Sequence, residues 1–322
     1  MFVAKRLVAG LMFFALSSMG GWAAETPDYP KRPVRMVVSG VGGTGDFSAR
    51  LIAPFLASRF GQPFVVDNRP GGVVPGQILA ESPADGHTLM MAGEVIWLSP
   101  FMRDAVPFDP VRDFAPLMLA IRSPNVLVVH PSLPVQSVQD LVRLAKQRPG
   151  TLNSASSGIG NSNHLAGAIF NAMAGVDILV ISYKGAQLAM NDLLGGRVQM
   201  MFATVNSSGG HVAAGKLRAL AVTTSTPTRL MPGLPTVAAA GLPGYESAAK
   251  IGLFGRAGTA QPILTLIHRE VMQFLRQTET TERMFKAGVE VIANTPQEFG
   301  EAIRMEMKTK GKIIRDAGIR MN

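Results

Sequence analysis

Apolar residues in this chain fall into two kinds of run, and the two kinds alternate. Short, nearly unbroken apolar segments bounded by Gly, Pro, Asn or Asp predict strands at 34–39, 63–67 and 87–92. Between them the apolar positions recur at helical spacing. Phe47, Leu51, Ile52, Phe55 and Leu56 share one face of a helix predicted over 46–60, and a shorter helix is predicted over 75–81. After a loop containing Asp-Pro (107–116), two apolar segments, 117–121 and 125–130, stand almost back to back around Ser123-Pro124. A second alternating block follows: helix 138–147, strand 151–155, helix 164–173, strand 178–182, helix 187–194, and strands 198–202 and 217–222. Past a Pro/Gly-rich stretch (227–243) comes a strand at 250–254. The remainder reads as helices at 262–277, 281–287 and 296–317, with a short strand at 289–292.

Strand–helix alternation of this kind implies a parallel sheet in each block. The closing helices are too few for a domain of their own and are expected on the first block. The chain then crosses between blocks twice, near Pro124-Asn125 and near 248–252. The expected architecture is α/β: two lobes joined by two hinge strands, with a cleft between them. Residues 25–124 plus 249–322 form the first lobe and 125–248 the second. The blocks share a layout but no repeated sequence.

The first 24 residues read differently. Lys5 and Arg6 precede an apolar run, Leu7 to Leu16, and then small residues up to Ala23 and Ala24. That is the layout of a secretory signal peptide cleaved after Ala23 or Ala24. The run is too short for a membrane span, which needs roughly 20 apolar residues. The expected destination is the periplasm. The chain has no cysteine, hence no disulfide, no thiolate metal site, no thiol nucleophile and no lipid-bearing N-terminal Cys. Its stability must come from burial, for which 322 residues, 47% of them hydrophobic, can build two cores. The net charge of +9 is spread along the chain in no long run, and only three Tyr and two Trp are present, one of them Trp22 in the leader. A nucleic-acid groove with stacking aromatics does not fit. His87, His130, His164, His211 and His268 lie far apart without an i, i+4 pair, so no local metal site is spaced for, and no cofactor is expected.

Three glycine- or serine-rich turns carry the candidate chemistry. Gly40-Val41-Gly42-Gly43-Thr44-Gly45 joins the first predicted strand to the first helix, the place where bare backbone N–H groups collect an anion. The spacing also fits a dinucleotide site, with Asp67 ending the next strand roughly 20 residues on. Export through a general signal argues against a bound nicotinamide. A phosphate-binding P-loop fails, because Asp46 stands where it needs lysine. Asp46 is either a helix cap or a ligand contact. The second turn, Ala155 to His164, offers hydroxyls, amides and glycines suited to a carboxylate; a hydrolase using Ser156 or Ser157 with His164 is the catalytic alternative, though no G-x-S-x-G elbow is present. The third turn is Ser182-Tyr183-Lys184-Gly185. No acid–base pair or metal cluster stands out, which points to capture of a small anion without chemistry on it.

Ordered blocks along the chain carry a resemblance. They include Tyr29-Pro30-x-Arg32-Pro33, the glycine turn ending at Asp46, Val65-Val66-Asp67-Asn68-Arg69-Pro70-Gly71, Pro83-Ala84-Asp85-Gly86-His87-Thr88-Leu89 and Phe108-Asp109-Pro110-Val111-Arg112-Asp113-Phe114. Ser123-Pro124-Asn125-Val126, Ala155-Ser156-Ser157-Gly158, His164-Leu165-Ala166-Gly167, Tyr183-Lys184-Gly185 and Asp192-Leu193-Leu194-Gly195-Gly196 continue the series. The mature chain resembles the Bug (Bordetella uptake gene) family, the solute receptors of tripartite tricarboxylate transporters. The resemblance implies a type II periplasmic-binding-protein fold and a monomer that closes on a small carboxylate and presents it to integral-membrane transporter subunits. A receptor signalling to a kinase is the alternative. Carried onto this chain, the ligand-binding positions are Gly42, Gly43, Thr44, Gly45, Asp46, Glu94, Ser156, Ser157, Gly158, Tyr183, Gly185, Ala203 and Thr204, with the loop after Phe202 lining the same cleft. The chain departs from the family pattern in places. Ser39-Gly40-Val41 replaces a longer Pro-aromatic-Pro turn, Ala203 stands where Asp is common, and Lys250 where Trp is common. Glu94 could take over an ammonium contact, and Lys250 is expected to favour a second carboxylate.

Overall fold

The computed structural model describes residues 28–316 and 318–320; the proposed signal peptide lies outside the described residues. Ten strands form one strongly bent sheet, in the order β2-β1-β3-β9-β4-β7-β5-β6, with β8 and β10 paired to β4. β1 (Val34–Val38), β2 (Phe64–Asn68) and β3 (Thr88–Gly93) are parallel. So are β5 (Asn153–Ser156), β6 (Leu179–Ser182) and β7 (Met200–Thr204). Two long antiparallel strands tie these halves together: β4 (Phe114–Val129) and β9 (Ala248–Arg256). β8 (Arg218–Val222) and β10 (Glu290–Val291) complete the set.

The two expected apolar segments around Ser123-Pro124 are therefore one strand. Pro124 makes the last pair with β9, opposite Ala248, and Asn125 the first with β7, opposite Thr204. A proline lacks a ladder donor, and a position where the strand changes partners tolerates that loss. Beside it, the buried Ser123 hydroxyl donates to the Gly288 carbonyl at 2.8 Å. The chain passes from pairing with β9 to pairing with β7 at these two residues.

The helices follow the strands: α1 (Thr44–Phe60), α2 (Val74–Glu81), α3 (Val95–Leu98), α4 (Val138–Gln147), α5 (Ser162–Ala174), α6 (Ala186–Leu194) and α7 (Val205–Ala213). α8 (Gln261–Leu275), α9 (Thr278–Lys286) and α10 (Pro296–Asp316) close the chain. α1 stops where Gly61 turns left-handed (φ 68°), a conformation glycine adopts without strain. α8 packs on α1, and α10 on β4 and α3, so the closing helices do cover the first half. Three buried clusters hold the molecule. One lies under α1, β1 and α8 around Met36, Ile52, Leu56 and Ile267. A second lies under α6 and β7 around Val128, Met190 and Met201. The largest runs through both halves, from Trp97, Phe254 and Phe299 to Phe170, Phe202 and Tyr245. The molecule is a mixed α/β fold of two lobes, and the halves share a core at their junction.

Candidate functional site

In parallel sheets the space beyond the carboxyl ends of the strands is where ligands sit. Here strands from both lobes end at one chamber. It is bordered by the starts of α1 (Gly43, Thr44, Gly45), α5 (Asn161, Ser162), α6 (Gly185, Ala186) and α7 (Thr204, Ser207). The end of β3 (Gly93), the residue before the short α3 (Glu94), the turn residues Ser39, Gly40 and Ser157 and the crossing residues Ala249 and Lys250 add to the wall. Its volume is about 80 Å³ on a measure where one water needs roughly 10–15 Å³, enough for a small solute.

None of the four helix starts has a side-chain cap. By contrast α4, remote from the chamber, is capped by Ser137, whose hydroxyl accepts the Asp140 N–H at 3.1 Å. Uncapped starts also occur at α8 and α9. What sets the chamber apart is that four of them meet. First-turn N–H groups have no partner within their helix, and each helix start carries partial positive charge. Thr44 adds a hydroxyl that is buried and bonded to no protein group among the described residues.

The acids at the chamber are already engaged. Asp46 accepts the Gly42 N–H at 3.0 Å, Arg50 Nε at 2.9 Å and Asn68 Nδ2 at 2.9 Å. It fastens the glycine turn to β2 and α1, a role closer to a cap than to a ligand contact. Glu94 pairs with Lys310, and Lys310 with Glu306. Burial pushes the Glu94 carboxyl above its ordinary range, with Lys310 opposing. Burial alone would pull Lys310 down, but Glu94 and Glu306 hold it up. Lys250 pairs with Glu306, which also accepts Trp97 Nε1–H at 2.9 Å. Lys250 does border the chamber, but its charge is met from below by α10. The expectation that it is held for a second ligand carboxylate loses its basis.

Of the positions singled out from the sequence, Gly43, Thr44, Gly45, Asp46, Glu94, Ser157, Gly185 and Thr204 come together at this chamber. Gly42 lies behind it, against Gln187. Gly158 and Tyr183 border a neighbouring cavity instead. Ser156 is fully buried, its hydroxyl 2.9 Å from the Gly158 carbonyl, and Ala203 lies in the core opposite Val126 of β4, so neither reaches the chamber. The predicted loop after Phe202 is the helix α7. The segment after Phe202 lines the chamber through Thr204 and Ser207, and the turn from Ala155 to His164 does so through Ser157, Asn161 and Ser162; sequence reasoning missed Gly93, Ala186 and Ala249 as wall residues.

The rival chemistries find no geometry. The Ser157 hydroxyl bonds to Asn163 Oδ1 at 3.1 Å, and His164 Nδ1 is buried without a partner. Neither Ser156 nor Ser157 pairs with His164; the His130–Ser132 hydrogen bond, at 2.7 Å, borders neither this chamber nor the second turn. Asp67 is bound by Arg35 at 2.6 Å and Arg69 at 3.0 Å. Burial pushes its carboxyl up, yet the two guanidiniums hold it below the ordinary range, so it is not held for a ribose.

Against known proteins, the family model described as "Tripartite tricarboxylate transporter family receptor" matches residues 48–319. The chain belongs to this receptor family. It is 30% identical to protein BugT of Bordetella pertussis over 98% of both chains. An R. palustris protein solved with adipate is 36% identical, with a TM-score of 0.86 over 91% of this chain and 99% of that one. MatC from Rhodopseudomonas palustris, solved with bound malate, is 26% identical, with a TM-score of 0.85 over 89% and 100%. Among the described residues no helix of this family member is long and apolar enough to cross a membrane.

Proposed function

We propose that this protein is a periplasmic solute receptor that captures a small organic carboxylate between its lobes and delivers it to the membrane subunits of a tripartite transporter. Four uncapped helix starts, drawn from both lobes, meet at one chamber whose own acids are already bonded. That observation carries the reading: the chamber's uncommitted charge is positive and made of backbone dipoles, which suits a carboxylate. The adipate and malate held by its relatives support di- or tricarboxylates as the class. In this reading residues 1–24 direct export, 25–124 plus 249–322 move as one lobe and 125–248 as the other, and the receptor works as a monomer. The ligand's differential affinity for the closed arrangement drives closure.

The test is a thermal-shift and calorimetric screen of the mature chain against mono-, di- and tricarboxylates, with the solute analysed afterwards. A receptor is stabilised by its ligand through mass action and returns it intact. Stabilisation by no carboxylate, or recovery of a cleaved solute, would overturn the proposal.

A further inference from the structure

Next to the chamber lies a second, larger cavity of about 440 Å³ on the same measure. Ser39, Gly40, Ser157 and Asn161 border both, so the two spaces meet at that shared wall. Their chemistry differs. The first offers backbone N–H groups and ion pairs already closed on themselves. The second is bordered by two cationic side chains, Arg103 and Lys184, and by no acidic one.

Arg103 is the telling residue. It is half-buried at the end of the short turn after α3, and its backbone N–H is bonded to the Ser99 carbonyl at 3.0 Å. Its guanidinium, among the described residues, meets neither a carboxylate nor a carbonyl. Arg35, Arg50, Arg59, Arg122 and Arg197 each sit on an acid. A partly desolvated guanidinium with no acceptor is costly, and its planar fork matches a carboxylate with two parallel hydrogen bonds. Lys184 is exposed and contributes only at longer range.

We propose that this cavity is a second anion subsite. It takes the distal carboxylate of an elongated dicarboxylate, with Arg103 as its principal contact, while the first carboxylate occupies the chamber. The inference rests on the receptor reading above and narrows it: chain length and a second charge become the selected features.

The experiment is a calorimetric titration of the mature protein and R103M with succinate, glutarate, adipate and pimelate and with the monoacids of equal chain length. Wild type is expected to prefer the diacid to the monoacid at the chain length it binds best. R103M should weaken that diacid by about tenfold or more, the scale of one charge-assisted hydrogen bond, and leave the monoacid unchanged. R103K should recover part of the loss. If R103M does not fold, R103Q gives the same contrast. A diacid bound equally well by the variant, or a loss equal for both acids, overturns the subsite while leaving the chamber reading intact. If none of these acids binds wild type, the subsite for elongated diacids is overturned, while the receptor reading is decided by the wider carboxylate screen above.

Discussion

A carboxylate at the start of an anion-collecting helix looks misplaced until its partners are counted. Asp46 gives its oxygens to a backbone N–H, a guanidinium and an amide, so its charge is spent on holding the glycine turn. Arg50 is largely exposed, so the ion pair itself contributes little; the two bonds to neutral donors matter more for the turn's shape. Thr44 is the reverse case, a buried hydroxyl with its bonding capacity unused. Such a group costs about 1–3 kcal/mol unless something else meets it. T44V, which keeps the shape and removes the hydroxyl, therefore separates structure from function. Ligand-free stability in a denaturant melt should stay level or rise by about 1 kcal/mol, because an unmet polar atom is gone. Affinity for the bound carboxylate should fall about five- to tenfold, one lost hydrogen bond. Unchanged affinity would show that the hydroxyl does not touch the ligand.

At the scale of elements, the sequence announced most of the fold and half hid the site. α4 was legible to the residue, since Ser137 caps it and its apolar positions recur at helical spacing. α7 was not. Asn206-Ser207-Ser208-Gly209-Gly210 has poor helix propensity, and the helix is held by tertiary contacts. Asn206 donates its side-chain N–H to the Ala287 carbonyl at 2.9 Å, 81 positions away. Gly288 (φ 79°) lets the turn after α9 come close: a Cβ there would lie 2.6 Å from the Asn206 nitrogen. Distant residues supply what local pattern lacks, so this wall of the chamber reads from sequence as a loop and not as a helix. Lys250 and Glu94 misled for a related reason, because their partners on α10 lie 56 and 216 positions away. α5 gives a prediction at this scale. Burial holds His164, in its first turn, below the ordinary histidine value. The unfolded chain then binds the proton more readily than the folded one, so stability is full above about pH 6.5 and falls as the pH drops below it. A protonated ring would also oppose the positive end of α5. Melting curves between pH 7.5 and 5 should show the wild type losing stability with acid, and H164Q losing less. Parallel curves would assign the acid sensitivity elsewhere.

For the whole molecule the decisive contact is between the lips of the two lobes. A Cβ on Gly185 would stand 3.0 Å from the Val41 carbonyl oxygen, and one on Gly40 would stand 3.4 Å from Gly185 Cα and the Lys184 carbonyl oxygen. The two turns meet backbone to backbone, so the arrangement is a closed one. Gly185 cannot test this cleanly, since its φ of 143° strains any side chain in either state. Gly40 has no positive φ, so substitutions there load the lobe contact and spare the turn itself. Alanine places its one carbon at ordinary van der Waals distance and should leave binding unchanged. The branches of isoleucine reach past that distance into Lys184 and Gly185, which are near only when the lobes are shut. If closure is what binds, G40I acts by lowering the closed fraction, and apparent affinity falls in proportion: a tenfold smaller fraction gives about tenfold weaker binding. Small-angle scattering at saturating ligand should contract wild type and G40A alike, while G40I needs correspondingly more ligand for the same contraction. A G40I protein that binds and contracts as wild type does would mean that the lips stay apart in the bound state, and that the ligand is held by a more open pair of lobes than this one.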